Sequence, residues 1–356
     1  MFSNVTFYPH TTLIERDFEP HKTYLLMAAQ HYDTNTLPVV SATTTLFCIT
    51  VPAVIWKATL YEDALICCEL AVNTRILFCE KECDALAKSL ASCQSVLMFV
   101  DWMDTHIYRY LDRLFSLTGG DVTIMGAGCG RTDGKNLPIM TCNAEVLNGG
   151  FIVLLSPLSS RIGSSHGSAF HNGYYIAHTE NSNQIVSING EKAFDFYTKM
   201  LKQHFHEEVN ETNIFSMGLK YPLGLGSMGT EQPLRVPSGV KDGHLIVAGP
   251  MEEESTLCLM RSTPQSLLVA HSIAVEGVRG GDKELSTQSC FMIECVGRRL
   301  VLESDFSQEL EAIVRELGDA CHHFGILSLG EIANSADKYI EYFNESCVIG
   351  LLDAAQ

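Results

Sequence analysis

The sequence predicts an α/β fold in which two lobes contain mixed, partly antiparallel sheets flanked by helices. Short apolar runs typical of strands recur along the chain, and segments with the 3.6-residue apolar period of helices separate them. Some strand candidates follow one another without a helix between them, as antiparallel hairpins do. A chain of 356 residues is also long enough for two domains.

Four segments combine the helical period with recognisable ends. They are residues 104–119, 192–205 and 307–318, and a segment that begins at Thr263-Pro264. Gly119 and Gly318 can supply the left-handed residue that ends a helix. Pro264 suits the first turn, where its missing N–H costs nothing. These segments are predicted to be helices.

Nine short apolar runs are predicted to be strands. They are residues 95–100, 122–125, 151–155, 184–188, 244–248, 256–260, 290–296, 325–329 and 347–352. A further run at 174–178 is separated from 184–188 by the turn residues Asn181-Ser182-Asn183, which predicts a hairpin. The Gly, Asn and Pro-rich stretch 207–237 predicts a domain boundary near residue 230.

Charge and composition exclude some classes of function. The chain carries 42 acidic and 24 basic side chains, a formal charge of −18, which disfavours nucleic acid and anionic membranes as partners. The thirteen cysteines lie mostly in apolar runs, as core residues of a protein in a reducing compartment do. Neither a signal peptide nor a membrane span is recognisable, so we expect a soluble, cytoplasmic protein.

The glycine cluster Gly126-Ala127-Gly128-Cys129-Gly130 follows an apolar run, as a dinucleotide-binding loop does. Its third glycine is misplaced, and a loop follows where a helix should begin. A turn or close backbone packing is the better interpretation. The histidines and cysteines lack the paired spacing of a zinc site, so we predict no metal.

Two polar residues beside predicted strands are candidate ligand contacts. Glu331, in Gly330-Glu331-Ile332, directly follows an apolar strand, where open α/β sheets present ligand groups. His166 lies in the polar turn Ser164-Ser165-His166-Gly167. Glu331 could equally be structural, and His166 could be a turn histidine bonded to backbone. We predict that both face one cavity between the halves.

The end of the chain resembles the FIST C domain. Residues 324–334, which end in Gly330-Glu331-Ile332-Ala333-Asn334, followed by 339–348, are similar to its closing motif, in which a strand leads to a glycine-glutamate pair and then to an "N-x-S/T" strand. Upstream, Cys295-Val296-Gly297-Arg298-Arg299 is similar to the strand of that family that ends in "GR".

The first half resembles the FIST N domain. This resemblance depends on five motifs: the strand that ends at Asp101, the glycine cluster at 126–130, Asn148-Gly149-Gly150, Ser165-His166-Gly167 and residues 188–197. Lys192 replaces the proline usual in the last motif. The resemblance implies a FIST N-like domain at 20–230 and a FIST C-like domain at 231–352.

The resemblance implies a sensory role without catalysis. FIST proteins are thought to bind small ligands, and bacterial ones accompany histidine kinases, cyclic-di-GMP enzymes such as diguanylate cyclases, or chemoreceptors. The ligand-binding residues that we predict are Glu331, Gly330, His166, Arg161 and Asn344. A small-molecule ligand and a separate signalling partner are the expected partners.

Two alternatives stay open at this point. The NosP-like branch of the family binds haem and senses nitric oxide, and haem needs an axial ligand, most often a histidine. If haem binds here, its candidate ligands are His166, His322 and His323. The second alternative is an enzyme of unrecognised chemistry, for which we name no catalytic residue.

Overall fold

The structure, a computed structural model, describes residues 1–9, 18–38, 40–80, 84–226, 231–280, 289–334 and 339–352. Residue 230, the predicted domain boundary, lies outside the described residues. Within the described part, no helix is long and apolar enough to span a membrane.

The described strands lie along the whole chain. In chain order they are β1 Phe2–Tyr8, β2 Thr23–Ala29, β3 Thr45–Val51, β4 Ala53–Trp56, β5 Thr59–Tyr61, β6 Leu65–Leu70, β7 Arg75–Cys79, β8 Ser95–Asp101, β9 Thr123–Cys129, β10 Met140–Cys142, β11 Glu145–Val146, β12 Phe151–Ser156, β13 Ser160–Ser165, β14 Ala169–Glu180, β15 Gln184–Ile188, β16 Glu191–Lys192, β17 Leu223–Leu225, β18 Leu234–Arg235, β19 Pro237–Lys241, β20 His244–Val247, β21 Glu254–Arg261, β22 Ser289–Cys295, β23 His322–Ser328, β24 Glu331–Asn334, β25 Ile340–Phe343 and β26 Cys347–Leu352. All nine predicted strands are present, with ends shifted by a few residues.

The described α-helices are α1 Asp84–Leu90, α2 Ile107–Thr118, α3 Ala193–Phe205, α4 Ile214–Lys220, α5 Pro264–Arg279, α6 Val296–Leu302 and α7 Phe306–Leu317. All four predicted helices are confirmed. Gly119 ends α2 in the left-handed conformation, with φ 60°. A capping box between Thr263 and Ser266 begins α5. Short-range sequence signals therefore set these ends.

The strands form four sheets. Their orders are β1-β6-β2-β3-β10-β11 in the first, β25-β24-β9-β8-β12-β7 in the second, β13-β26-β22-β23-β4-β5 in the third, and β18-β17-β21-β14-β15-β20-β19, with β16 beside β15, in the fourth. The pairs β2–β3, β8–β9 and β22–β23 are parallel. The predicted hairpin is the antiparallel pair β14–β15. The α/β class with mixed sheets is confirmed.

The first three sheets enclose one hydrophobic core. Leu25 of the first sheet, Phe99 of the second and Phe291 of the third are all fully buried members of it. Helices α5, α6 and α7 cover the other face of the third sheet, and α1 and α2 cover the second. Helices α3 and α4 pack with the fourth sheet. The buried cysteines contribute to these cores as small apolar side chains.

Two sheets combine strands that are distant in sequence. In the second sheet, β24 pairs with β9. In the third, β23 pairs with β4. The chain passes from the third sheet to the second between Ser328 and Glu331, and this crossover positions the candidate site.

The glycine cluster at 126–130 lies in and just after β9. A Cβ on Gly126 would lie 2.2 Å from the carbonyl oxygen of Met98 on the parallel neighbour β8. The glycine is required because the two backbones approach closely. Close backbone packing, one of the two predicted interpretations, is what the structure has, and the alternative of a turn is wrong.

Candidate functional site

Glu331 is placed by the crossover between two sheets. β23 ends at Ser328, and Glu331 begins β24, so Glu331 does not stand at a free strand end. Gly330 between them has φ 142°, and a Cβ there would lie 2.1 Å from the hydroxyl of Tyr342. Only glycine fits both the backbone conformation and the space. The Gly-Glu pair therefore follows from the geometry of the crossover.

The Glu331 carboxyl group is fully buried among protein hydrogen-bond donors. The Ser328 hydroxyl donates to Oε1 at 2.5 Å, and the Ser346 main-chain N–H donates to Oε2 at 3.2 Å. Burial raises the pKa of Glu331 to about 7, against the lowering effect of these two donors. The group is therefore close to half protonated at neutral pH.

A buried guanidinium lies beside this carboxyl group. Arg298 in α6 is fully buried, and its Nε and Nη2 donate to Glu309 of α7, at 2.8 Å for the bond from Nε to Oε1. Nη2 also donates to the Leu267 carbonyl of α5. Nη1 donates to the carbonyls of His166 at 3.2 Å and Glu345 at 3.3 Å. One side chain thus joins three helices and two turns.

Two more fully buried carboxyl groups surround Arg298. The Ser262 hydroxyl donates to Oε2 of Glu345 at 2.9 Å, and burial raises the pKa of Glu345 to about 8. Glu294 Oε2 lies 3.7 Å from Arg298 Nε, and neither carboxylate oxygen of Glu294 makes a hydrogen bond of good geometry with the described residues. Burial, followed by repulsion from Glu309, raises the pKa of Glu294 well above its usual range. We call the following residues together the Arg298 cluster: Arg298, Glu294, Glu309, Glu331, Glu345 and His166.

His166 is held in one tautomer by its own turn. Its Nδ1 accepts the Ser168 main-chain N–H at 2.9 Å, so Nε2 carries the proton of the neutral ring. Nε2 lies 3.5 Å from Glu231 Oε1, which also accepts the His166 main-chain N–H at 3.0 Å. Burial lowers the pKa of His166, although Glu231 opposes this. These contacts are those of a turn histidine bonded to backbone, which is the alternative to a ligand contact that the sequence left open.

Two further predicted ligand residues lie in different places. Asn344 precedes Glu345, is buried, and its Oδ1 makes no hydrogen bond with described residues. Arg161 donates to the Arg279 carbonyl at the last residue of α5, whereas the Arg298 cluster meets α5 in its first turn. A sixteen-residue helix is about 24 Å long, so Arg161 is remote from the cluster.

The structure therefore joins four of the five predicted residues in or beside one buried network. Glu331, Gly330, His166 and Asn344 are close to Arg298, and Arg161 is not. Their described contacts are with protein groups, and none of them lines either cavity described below. Their role as ligand contacts stays a prediction.

The three candidate haem ligands contact protein groups, and none of them lines the two cavities. The lone pair of His166 Nδ1 is occupied by the Ser168 N–H. His322 packs edge-on against Trp56 at a centroid distance of 5.0 Å, and His323 Nε2 lies 2.8 Å from the Gly318 carbonyl oxygen. Within the described chain, no group of three or more His, Cys, Asp or Glu could hold a metal ion.

A cavity of about 790 Å³ lies on the outer face of the first sheet. Leu26, Cys48 and Thr141 of three neighbouring strands line it, and residues 30–35, 37, 38, 40–42 and 137–139 provide further lining. Burial raises the pKa of the Cys48 thiol to about 12, so this part of the wall is uncharged at neutral pH. We call this space the first-sheet cavity. Its volume is in the range of small-molecule sites.

Arg131 and Lys135 bring positive charge to the first-sheet cavity. Both also line a second cavity of about 520 Å³, which extends toward Asp101, Trp102 and Asn148. The two spaces share the segment 131–139 as a wall. A ligand in either space therefore lies beside Arg131.

Strand β9 connects this wall to the Gly330-Glu331 turn. Arg131 follows β9 by two residues, and the Gly130 N–H donates to the Thr50 carbonyl at 2.9 Å. On the same strand, Gly128 donates to the Gly330 carbonyl at 2.7 Å and accepts the Leu329 N–H at 2.9 Å. A shift at the end of β9 would therefore reach the crossover through main-chain hydrogen bonds.

The predicted site residues do not include Arg131, Glu294, Glu309 or Glu345, and Arg298 is named only within a motif. A signal existed for Arg131, because it follows a parallel strand at its carboxyl end. Arg298 sits in a Gly-Arg pair that begins a helix after a buried strand. The three glutamates carry no local signal, because only the packing of distant elements buries them.

Comparison with known proteins supports the family. Residues 193–334, from α3 to β24, match the family model of the FIST C domain. No curated protein matches the chain. The match starts before the predicted boundary near residue 230, and the division into domains at 20–230 and 231–352 stays a prediction. FIST C is a sensory domain, which is consistent with a sensor role. Residues 193–334, somewhat less than half of the chain, are therefore similar to the FIST C domain, and the resemblance to that domain predicted from the sequence is confirmed.

Proposed function

We propose that this protein is a cytoplasmic sensory module that binds a small ligand in the first-sheet cavity and signals through a separate partner. A histidine kinase or a cyclic-di-GMP enzyme is the expected class of partner, and we expect no catalytic activity. The observation that carries the proposal is the cavity itself. It has the volume of a metabolite site, and both apolar and polar side chains line it.

The connection through β9 supports signalling from this cavity. The segment that lines the cavity at Arg131 is continuous with the strand that pairs with Glu331. Glu331 lies in the buried network that also holds α5, α6 and α7 together. A ligand can shift such an arrangement only by as much as its affinities for the two states differ. In this proposal, the helices on the third sheet carry the altered surface.

Thr141 provides a variant that tests the site. It lines the cavity and lies opposite Cys48 in the β3–β10 pair, so Thr141→Phe would place a phenyl ring in the space proposed for the ligand. Thr59→Phe is the matched control, because Thr59 is exposed on β5, away from the cavity. Both variants make the same chemical change on a strand.

The experiment is a thermal-shift screen of amino acids and other metabolites at millimolar concentration. A ligand at a hundred times its Kd stabilises the folded state by about 2.7 kcal/mol. We expect at least one compound to stabilise the unsubstituted protein and Thr59→Phe, and to lose its effect on Thr141→Phe. A screen without any stabilising compound, or with equal effects on all three proteins, would contradict the proposal.

A further inference from the structure

Arg131 is a buried, pre-positioned cation at the first-sheet cavity. Only 8% of its side chain is exposed. Its Nε and Nη2 donate to the two carboxylate oxygens of Asp133, at 3.0 and 2.5 Å, and Nη2 also donates to the Gln30 carbonyl. The guanidinium is therefore fixed before any ligand arrives, which lowers the entropic cost of binding.

One edge of the guanidinium remains available. Within the described part of the chain, Arg131 Nη1 makes no hydrogen bond, whereas Nε and Nη2 are both engaged. The other side of the loop is held as well, because Gln30 Oε1 accepts the Thr132 main-chain N–H at 2.8 Å. The available N–H groups of Arg131 thus have a defined position in the cavity wall.

The local charge is positive in a strongly acidic protein. Lys135 is exposed and its Nζ lies 3.6 Å from Asp133 Oδ2, so two cations share one carboxylate. Hydrogen bonds from Arg131 lower the pKa of Asp133 below its usual range, so Asp133 stays ionised. One positive charge is left over among these three residues, although the whole chain carries −18, and Asp33 is the acidic residue in the described lining of the cavity.

Part of the remaining lining suits an apolar body, beside polar residues such as Asn35 and Thr141. Its lining includes Leu26, Leu37, Leu46, Leu137 and Val146. Such a combination recognises molecules with a charged head and a hydrocarbon part. We infer that the ligand of the first-sheet cavity is a small amphiphilic anion, whose carboxylate or phosphate group pairs with Arg131 Nη1 and Lys135. This inference rests on the proposed function and names its ligand class.

The test compares probes of equal length and different charge by calorimetry. Hexanoate and hexyl phosphate are the anionic probes, hexanamide is the neutral one and hexylammonium is the cationic one. A charge-assisted hydrogen bond makes anion binding about ten- to a hundredfold tighter than binding of the neutral analogue. The two anionic probes separate carboxylate from phosphate recognition.

Three variants should change anion binding, two by weakening it and one by strengthening it. Arg131→Gln removes the anchor and should weaken anion binding about ten- to a hundredfold, and Lys135→Gln should weaken it severalfold. Asp133→Asn removes the competing negative charge but keeps an acceptor oxygen for the Arg131 guanidinium, so it should strengthen anion binding. Arg113→Gln, at an exposed residue of α2 outside both cavities, is the matched charge control and should change nothing. Hexanamide binding should be unaffected by all four substitutions.

The outcomes separate the inference from the proposed function. If hexanamide binds as tightly as hexanoate and Asp133→Asn leaves both affinities unchanged, the anionic ligand class is wrong while the cavity remains a ligand site. If neither these probes nor any metabolite binds, the proposed function itself fails. Should Arg131→Gln fold poorly, the opposite effects expected for Lys135→Gln and Asp133→Asn still decide the matter.

Discussion

Arg298 donates a hydrogen bond from Nη1 to the main-chain carbonyl of His166 at 3.2 Å, across 132 positions of the sequence. This bond joins the first turn of α6 in the FIST C domain to the turn that follows β13. The same guanidinium holds Glu309 and the carbonyls of Leu267 and Glu345. Arg298 therefore connects parts of the chain that no local interaction brings together.

Replacing Arg298 should strongly destabilise the protein. Arg298→Met leaves the buried Glu309 carboxylate without its cation, which costs about 3–5 kcal/mol of unfolding free energy. Urea denaturation measures the loss. The control is Arg299→Met, because Arg299 forms a half-exposed ion pair with Glu62 at 2.9 Å, and such surface pairs contribute at most about 1 kcal/mol. Equal losses in the two variants would refute a structural role for the buried pair.

Glu331 should make the protein less stable as the pH rises. Its pKa is about 7 in the folded state and 4.5 ordinarily, so the folded state holds the proton more tightly. Below pH 4.5 Glu331 is protonated in both the folded and the unfolded state, so it does not change the free energy of unfolding as the pH varies. Between pH 4.5 and 7 the unfolded state releases the proton first, and the free energy of unfolding falls by about 3 kcal/mol in total.

Glu331→Gln should remove most of this fall. The measurement is the free energy of unfolding at pH 5 and pH 8.5, in the unsubstituted protein and in the variant. Glu345, whose pKa is about 8, acts with the same sign, so some pH dependence remains. Glu311→Gln, at an exposed position of α7, is the control. An unchanged pH dependence in Glu331→Gln would show that this carboxyl group is ionised in the folded state.

Gly330→Ala should be more damaging than an ordinary glycine substitution. The new methyl group would lie 2.1 Å from the Tyr342 hydroxyl, and the backbone has φ 142°. We expect a loss of at least about 3 kcal/mol, because steric overlap adds to backbone strain of about 1–3 kcal/mol. Gly134→Ala, at φ 72° in open space, should cost only about 1–2 kcal/mol. Similar melting temperatures for the two variants would count against the tight crossover.

Thr263→Ala should weaken the start of α5. The Thr263 hydroxyl accepts the Ser266 main-chain N–H at 3.1 Å, and Ser266 bonds back to the Thr263 N–H. Loss of such a cap costs about 1 kcal/mol. The measurement is chemical denaturation, and the control is Ser307→Ala. Ser307 is an exposed serine outside a capping box. If Thr263→Ala unfolds at the same urea concentration as the control, the capping box does not stabilise this helix.

The sequence by itself determined the elements whose signals are local. Gly119, Thr263-Pro264 and the turn Asn181-Ser182-Asn183 act on their immediate neighbours, and the ends of α2, α5 and the β14–β15 hairpin follow from them. The family was also accessible from the sequence, since Gly330-Glu331 and the Gly-Arg pair of α6 occur in order along the chain. The polar turn around His166 and the buried strand before Glu331 singled out two residues that lie in one network.

Only the tertiary structure decided what those residues contact. Strand β9 pairs with β24 across some two hundred positions, and this pairing gives Glu331 its neighbours. Arg161, which was predicted as a ligand residue together with Glu331, lies at the opposite end of α5 from the Arg298 cluster, about the length of the helix away. The first-sheet cavity and the anchored Arg131 arise where segments that are distant in the sequence pack together. Burial, charge pairing and cavity volume depend on this packing, so no local pattern in the sequence encodes them.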